Sequence, residues 1–211
     1  LSLVWSYLFK IDLKLYLPNL LFGLTIYQLF SNNLNNCATV ITGEFSSLFQ
    51  NTNIPLSYLV LRNVMNNFLN YMIYLPVFLL VIFLLGIKIN FYTLLFFFSL
   101  TLIFIICFLL GVVISIICSR YRDIQSLVAT LTGIGTFLTP VLWDKSMLGK
   151  YENFAYLNPL TFIIEAIKYP LLGKLPGVQV FIGLFIMILI SYLLANFLYN
   201  KTKFKIIFWS N

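Results

Sequence analysis

The sequence predicts an all-α integral membrane protein: a bundle of six transmembrane helices with a short re-entrant or interfacial helix between the fifth and sixth. Two features of composition and one of patterning predict this class. Hydrophobic residues make up 61% of the 211 residues and charged residues only 9%, whereas a soluble domain carries about 25% charged residues. Long apolar runs alternate with short polar segments. Such a chain cannot cover itself with polar surface, so lipid must surround much of it.

The spans follow from apolar runs that approach or exceed the roughly 20 residues needed to cross a bilayer. The first run, 1–9, is too short, and we expect the N-terminal part of this first helix to be missing. We expect Pro76 to kink the third span. No repeat or linker interrupts the chain, which predicts one domain over 1–211. The remaining predicted spans are 17–43, 56–85, 94–118, 125–143 and 178–199.

A short helix is predicted over 158–173, between the last two spans. Asn158 suits its N-cap, Pro159 its first turn and Gly173 its C-terminal cap. About 13 residues cannot cross a bilayer, which indicates a re-entrant or interfacial segment. Glu165 and Lys168 stand three apart on it, a spacing that allows them to pair.

A polar stripe runs along the second span. Its members are spaced 3, 4, 3 and 4 residues apart, which places them on one helix face. Unpaired amides are costly in lipid, so this face must meet protein or water. It is either a helix–helix interface or the wall of a polar conduit, and the spacing leaves both open. The members are Thr25, Gln28, Asn32, Asn35 and Thr39.

The polar interval 44–55 carries a short amphipathic pattern. Phe45, Leu48 and Phe49 are three and four residues apart and would share one helix face. The pattern predicts either a helix lying in the headgroup plane or a docking helix for a cytoplasmic partner.

Several functions are excluded or disfavoured by what the chain lacks. It has no His and no phosphate-binding glycine loop, so neither histidine catalysis nor nucleotide hydrolysis is expected. Cys37, Cys107 and Cys118 lie in apolar runs and are interpreted as core residues rather than metal ligands. The net charge of +7 is spread over loops, which indicates membrane topology and anionic lipid rather than nucleic acid.

Two long motifs carry a family resemblance. They are RYRDIQSLVATLTGIGTFLTPVLW at 120–143 and LNPLTFIIEAIKYPLLG at 157–173, supported by NTNIPLSYLVLRNVMNNFLN at 51–70. Together they resemble the permease subunits of polysaccharide-exporting type-2 ABC transporters, which move O-antigen, capsule or teichoic acid chains. The positions that match the family motif are Arg120, Arg122, Asp123, Pro140, Asn158, Pro159 and Gly173.

The resemblance implies a mechanism with several partners. Two copies of the chain would form one channel in the bacterial cytoplasmic membrane, and each would bind a separate cytoplasmic ATPase subunit that holds the ATP. The permease itself would have no catalytic residue, cofactor or metal. The short helix 158–173 would lie at the outer mouth. The residues that contact the ATPase would be Phe45, Leu48, Phe49 and Asn51.

A lipid-linked glycan would need amides for its hydroxyl groups and aromatic rings for its sugar faces. The polar stripe would supply the amides, and Tyr27, Phe137 and Trp143 would supply the rings. A type-2 ABC exporter of a drug or lipid is the alternative. An integral membrane transferase is a further one, although no His and no clustered acids support it.

Overall fold

The computed structural model describes residues 6–7, 12–43, 54–87 and 89–202, and these form helices without β-strands. Two 3-10 segments, Phe91–Leu94 and Lys145–Leu157, lie between the α-helices. The α-helices are α1 Leu13–Ala38, α2 Leu56–Met72, α3 Leu75–Leu84, α4 Leu95–Arg120, α5 Ile124–Leu138, α6 Leu160–Leu171 and α7 Val178–Thr202.

Three helical stretches of the described residues are long and apolar enough to cross a membrane. They are Leu56–Leu84, Phe91–Arg120 and Val178–Thr202, close to three of the predicted spans. Helix α1 has 26 residues but carries the polar stripe, and α5 has only 15 residues. Most of the predicted first span, 1–9, lies outside the described residues. The six-span bundle therefore stays a prediction.

The kink predicted at Pro76 is a full break between two helices. Helix α2 ends at Met72 and α3 begins at Leu75, with Pro76 in the first turn of α3. Proline has no N–H, and its ring clashes with the carbonyl four residues earlier, here that of Met72. The chain therefore turns at 73–74 before it resumes the helix.

Helix α5 ends at Leu138, five residues before the predicted end of the fifth span at 143. The Thr139 hydroxyl donates to the Gly135 carbonyl, and Pro140 follows directly. Because the residue before a proline is disfavoured in helical conformation, the helix stops here. Residues 141–144 form a turn that leads into the 3-10 segment Lys145–Leu157.

The chain divides into two compact units, each assembled from parts of several helices. The first comprises Leu1–Gln28, Tyr71–Thr101 and Ile134–Leu184, and the second comprises Leu29–Asn70, Leu102–Gly133 and Phe185–Asn211. In the first unit, α6 contacts both 3-10 segments and is buried along most of its length.

The core of the second unit depends on small residues of α4. Cys107, Gly111 and Ser115 recur every four residues on one face of this helix. A Cβ added to Gly111 would lie 2.8 Å from the Cys37 sulphur and 2.9 Å from a methyl group of Val60. Small residues at this spacing let membrane helices approach closely, and here they allow α1 and α2 to pack against α4.

Candidate functional site

Four of the five residues of the predicted polar stripe lie on one side of α1, and the fifth, Thr39, follows it, because the helix ends at Ala38 and not at the predicted 43. Gln28, Asn32 and Thr39 are exposed, while Thr25 and Asn35 are half-buried. From Tyr16 to Ala38, the exposed side chains are those of Gln28, Asn32 and Asn36. The exposed side chains in this part of the helix are therefore all amides, and we call this surface the amide face of α1.

Hydrogen bonds fix the edges of this amide face within the second unit. Asn35 donates through Nδ2 to the Thr132 hydroxyl of α5 over 3.1 Å. On the other edge, Asn36 donates to Asn67 Oδ1 of α2 over 3.1 Å. Thr25, by contrast, turns its hydroxyl back to the Leu21 carbonyl of its own helix, 2.8 Å away. The centre of the face is thus left to Gln28 and Asn32.

The three aromatic residues predicted to line the conduit occupy different environments. Tyr27 is only 4% exposed, and a Cβ on Gly135 would overlap its hydroxyl group. Trp143 is half-buried and donates through Nε1 to the Phe137 carbonyl over 3.1 Å. Phe137 is 66% exposed. Of these three side chains, that of Phe137 presents most of its ring to the surroundings.

Two sets of buried polar contacts, absent from the sequence prediction, hold α1 between α2 and α4. In the first, Asn67 Nδ2 donates to Asn33 Oδ1 over 3.5 Å, and Asn33 Nδ2 donates to the Cys107 carbonyl over 3.0 Å. In the second, Asn63 Nδ2 lies 3.2 Å from the Cys37 sulphur, and the Ser115 hydroxyl donates to the Cys37 carbonyl over 2.8 Å. We call these the first and second polar rungs.

Asn33 was missed because it lies off the five-residue stripe, one position from Asn32. The signal was present on α2, where Asn63, Asn66, Asn67 and Asn70 recur at helical spacing. The structure divides that set: Asn63 and Asn67 are buried, whereas Asn66 and Asn70 are exposed. A run of amides on two successive apolar helices could have predicted interhelical hydrogen bonds.

The residues predicted to contact an ATPase lie outside the described residues: Phe45, Leu48, Phe49 and Asn51. The described chain on both sides of them is anchored in the second unit. Near the end of α1, Thr42 accepts a hydrogen bond from Gln125 Nε2 of α5 over 3.0 Å. Helix α2 begins at Leu56 and is buried there.

The charged corner forms the exposed turn between α4 and α5. Arg120 is the last residue of α4, and its guanidinium lies 5.1 Å from the Tyr121 ring centroid. Arg122 and Asp123 follow in the turn, and the Asp123 carbonyl accepts a bond from Ser126. These contacts are those of a helix connection with its charges at the surface, as expected near headgroups.

A buried ion-pair cluster joins the 3-10 segment Lys145–Leu157 to α6. Glu165 is 3% exposed, and its carboxylate receives Lys145 Nζ at 2.8 Å, the Tyr156 hydroxyl at 2.9 Å and the Tyr169 hydroxyl at 3.2 Å. Lys168 binds Asp144 at 3.2 Å. The pairing of Glu165 with Lys168 that the spacing allows is therefore not formed, because Glu165 binds Lys145 and Lys168 binds Asp144.

The charge state of Lys145 is set by this cluster. Burial by itself lowers the pKa of the amine, but hydrogen bonds to Glu165, Tyr156 and Tyr169 outweigh it. The net result is a pKa raised above that of an ordinary lysine. Lys145 is thus a fixed positive charge at neutral pH.

Hydrogen bonds close both ends of the short helix, but its N-cap is Pro159 and not, as predicted, Asn158, because the helix begins at Leu160. Asn158 Oδ1 accepts from the Leu160 N–H over 3.0 Å, and its Nδ2 donates to the Leu138 carbonyl at the end of α5 over 3.3 Å. Helix α6 starts at Leu160, just after Pro159. At the other end Gly173 has φ +70°, and the following N–H, of Lys174, bonds the Tyr169 carbonyl over 2.9 Å. This glycine closes the helix in the left-handed conformation that suits it.

A multi-pass integral membrane protein is the class that these apolar helices define. The family model described as ABC-2 type transporter matches residues 1–172, so the chain belongs to that family. The chain is therefore a transmembrane permease component of an ABC transporter, a class that works with a cytoplasmic ATP-binding partner. No curated protein matches the chain. Among the described residues, no group of His, Cys, Asp and Glu could hold a metal ion.

Proposed function

We propose that this permease exports a lipid-linked polysaccharide of the O-antigen, capsule or teichoic acid type across the bacterial cytoplasmic membrane. The observation that carries the proposal is the exposed amide face of α1. Burying an amide in an apolar medium without a partner costs about 2–7 kcal/mol. Gln28 and Asn32 therefore face water, cargo or another protein chain rather than lipid.

The chemistry of the amide face suits a sugar polymer. Amide groups both donate and accept hydrogen bonds, as sugar hydroxyls do. Gln28, Asn32 and Thr39 are the exposed members of the stripe, with Thr25 and Asn35 at its edges. Phe137, exposed on α5, offers a ring surface for a sugar face. An exporter of cationic drugs would gain from carboxylates, and helix α1 carries none between Leu13 and Ala38.

Two partners complete the proposed transporter. One helix face cannot enclose a hydrated polymer, so a second copy of the chain supplies the opposite wall. The ATP-binding subunit docks at Phe45, Leu48, Phe49 and Asn51, where the amphipathic pattern lies. In this arrangement the basic end of α4, Arg120 and Arg122, faces the cytoplasm, as the positive-inside tendency favours.

Helix α6 and its ion-pair cluster belong to the outer mouth in this proposal. The helix has 12 residues, too few to span, yet it is buried in its unit. A half-length helix is tolerated at membrane depth when protein surrounds it. Hydrogen bonds at Asn158 and beside Gly173 pair backbone groups at both of its ends.

The proposal is tested by the fate of the cargo when the permease fails. Depletion of the chain should make lipid-linked glycan accumulate inside cells and disappear from their surface. Replacing Gln28 and Asn32 by leucine should have the same effect while leaving the ATPase partner bound. The matched control is Asn196→Leu, which removes an exposed amide from α7.

Other outcomes identify the alternatives. Accumulation of a drug or a phospholipid, with normal surface glycan, would replace the polysaccharide by that cargo. Turnover of a substrate by the purified chain without any ATPase would instead favour the alternative function, that of an integral membrane transferase.

A further inference from the structure

The two polar rungs share one geometry, although they use different atoms. Each begins on α2, passes through α1 and ends on α4: Asn67 to Asn33 to the Cys107 carbonyl, and Asn63 to Cys37 to Ser115. On each of the three helices, the two contributing residues are separated by four or eight positions, so the rungs lie on matching faces.

The first rung also reaches the amide face. Asn36, exposed on α1, donates to Asn67, which donates to Asn33, which donates to the Cys107 carbonyl. All three bonds run in the same direction, and each amide in the chain polarises the next. An exposed amide of the face is therefore joined to the backbone of α4 through two buried residues, Asn67 of α2 and Asn33 of α1.

We propose that the polar rungs transmit movement of α2 to the amide face of α1, which makes Asn33, Asn63 and Asn67 positioning residues of the transport cycle. This inference rests on the proposed function. In that function the ATP-binding subunit docks on 44–53, the segment that joins α1 to α2. Its movement reaches α2 at Leu56, and the two rungs are polar contacts through which a displaced α2 acts on α1 along its length.

The membrane setting is what gives such contacts their effect. Two apolar helix faces can slide past each other in lipid at little cost in free energy, because lipid tails take the place of the apolar neighbours that are lost. An amide that leaves its partner stays unpaired in a medium with no water. Gly111 permits the close approach of α1, α2 and α4 that both rungs require. The rungs therefore keep α1 in register with α2 when α2 is displaced.

The test uses a cysteine reporter on the amide face. Asn32→Cys is introduced into the full chain, assembled with its ATPase partner in liposomes and treated with a charged, water-soluble methanethiosulfonate. The three natural cysteines are buried, so the reporter dominates labelling. Addition of ATP should change the labelling rate by about fivefold or more, the lower range of allosteric coupling. Asn67→Leu should abolish that change without reducing ATP hydrolysis, whereas Asn196→Leu should preserve it.

Each alternative result has a defined meaning. Persistence of the ATP-dependent change in Asn67→Leu overturns the inference. Parallel loss of hydrolysis and of the change would indicate a purely structural role and overturn it as well. The double variant Asn33→Leu with Asn67→Leu guards against misfolding, because it leaves no buried amide without its partner, and the same result is expected. A reporter that never reacts, even without these substitutions, would count against the proposed function itself.

Discussion

The Lys145 amine lies 2.8 Å from the Glu165 carboxylate. The preceding residue, Asp144, binds Lys168, so α6 supplies the acid to one ion pair and the base to the other. The first residue of the 3-10 segment and the residue just before it thus pair with two residues about one helical turn apart on α6. This order of charges fixes the register of the two residues on α6. A shift of one position would place Lys145 beside Lys168 or Asp144 beside Glu165, and like charges would meet. These pairs hold the 3-10 segment Lys145–Leu157 against the short helix.

The two ion pairs should contribute unequally to stability. Lys145→Met leaves the buried Glu165 carboxylate without its cation, which costs about 3–5 kcal/mol for a buried pair. Lys168→Met leaves Asp144, whose side chain is 39% exposed, and should cost less than about 1 kcal/mol. Thermal unfolding of the two purified variants in detergent measures the difference. Equal losses would mean that solvent reaches Glu165 freely.

The stability contributed by Lys145 should not change through the neutral range. Its pKa is raised in the folded protein, so its contribution is complete below the ordinary lysine value of about 10.4 and declines only as pH rises above it. The difference in Tm between the wild type and Lys145→Met should therefore not shrink from about pH 6 to about pH 9. A difference that shrinks between neutral pH and about pH 9 contradicts the assignment.

Two helical glycines should respond oppositely to the same substitution. Gly111→Ala places a methyl group 2.8 Å from the Cys37 sulphur and should cost about 1–3 kcal/mol through overpacking. Gly133→Ala on α5 meets nothing within 4 Å and should be neutral or stabilise the helix by up to about 1 kcal/mol. Comparing both melting temperatures tests the close helix crossing, and a harmless Gly111→Ala would argue against it.

Gly183 of α7 should be needed for the packing around the ion-pair cluster. A Cβ at this position would lie 2.5 Å from the Phe162 ring, and that ring stacks on Tyr156 at 5.4 Å. Tyr156 in turn donates to Glu165. Gly183→Ala should lower stability by about 1–3 kcal/mol, and the loss should be smaller when Lys145→Met is already present. Strict additivity would mean that the two sites are independent.

The residues predicted to contact the ATP-binding subunit can be tested through its binding. Phe45→Asp combined with Phe49→Asp places two charges on the predicted apolar face and should abolish co-purification of the ATP-binding subunit, because buried unpaired charges are costly. The control pair Leu69→Ala and Leu79→Ala substitutes exposed residues of α2 and α3 without adding a polar group and should leave binding intact. Retention of the ATPase by the phenylalanine variant would reject the docking role.

Sequence patterns predicted well those features that depend on local chemistry. Pro76 and Pro140 end helices because proline cannot continue them, and Gly173 caps α6 because it tolerates positive φ. Such effects act within a few residues, so they can be read from the chain directly. The same holds for the stripe on α1, since helical spacing decides which residues share a face.

Features that depend on tertiary contacts were not predictable in the same way. Glu165 and Lys168 have the spacing of an intrahelical pair, yet they bind Lys145 and Asp144, which lie 20 and 24 positions earlier in the chain. Asn33 differs from Asn32 by one position and is buried rather than exposed. Which face of α1 packs on α2 and α4 depends on small residues such as Gly111, and one helix alone does not reveal it.

The uncharged character of the exposed side of α1 has a consequence for its response to acidity. The exposed side chains between Tyr16 and Ala38 are amides, which neither take up nor release protons at physiological pH. This side of the helix therefore offers a ligand the same donors and acceptors in a mildly acidic medium as in a mildly alkaline one.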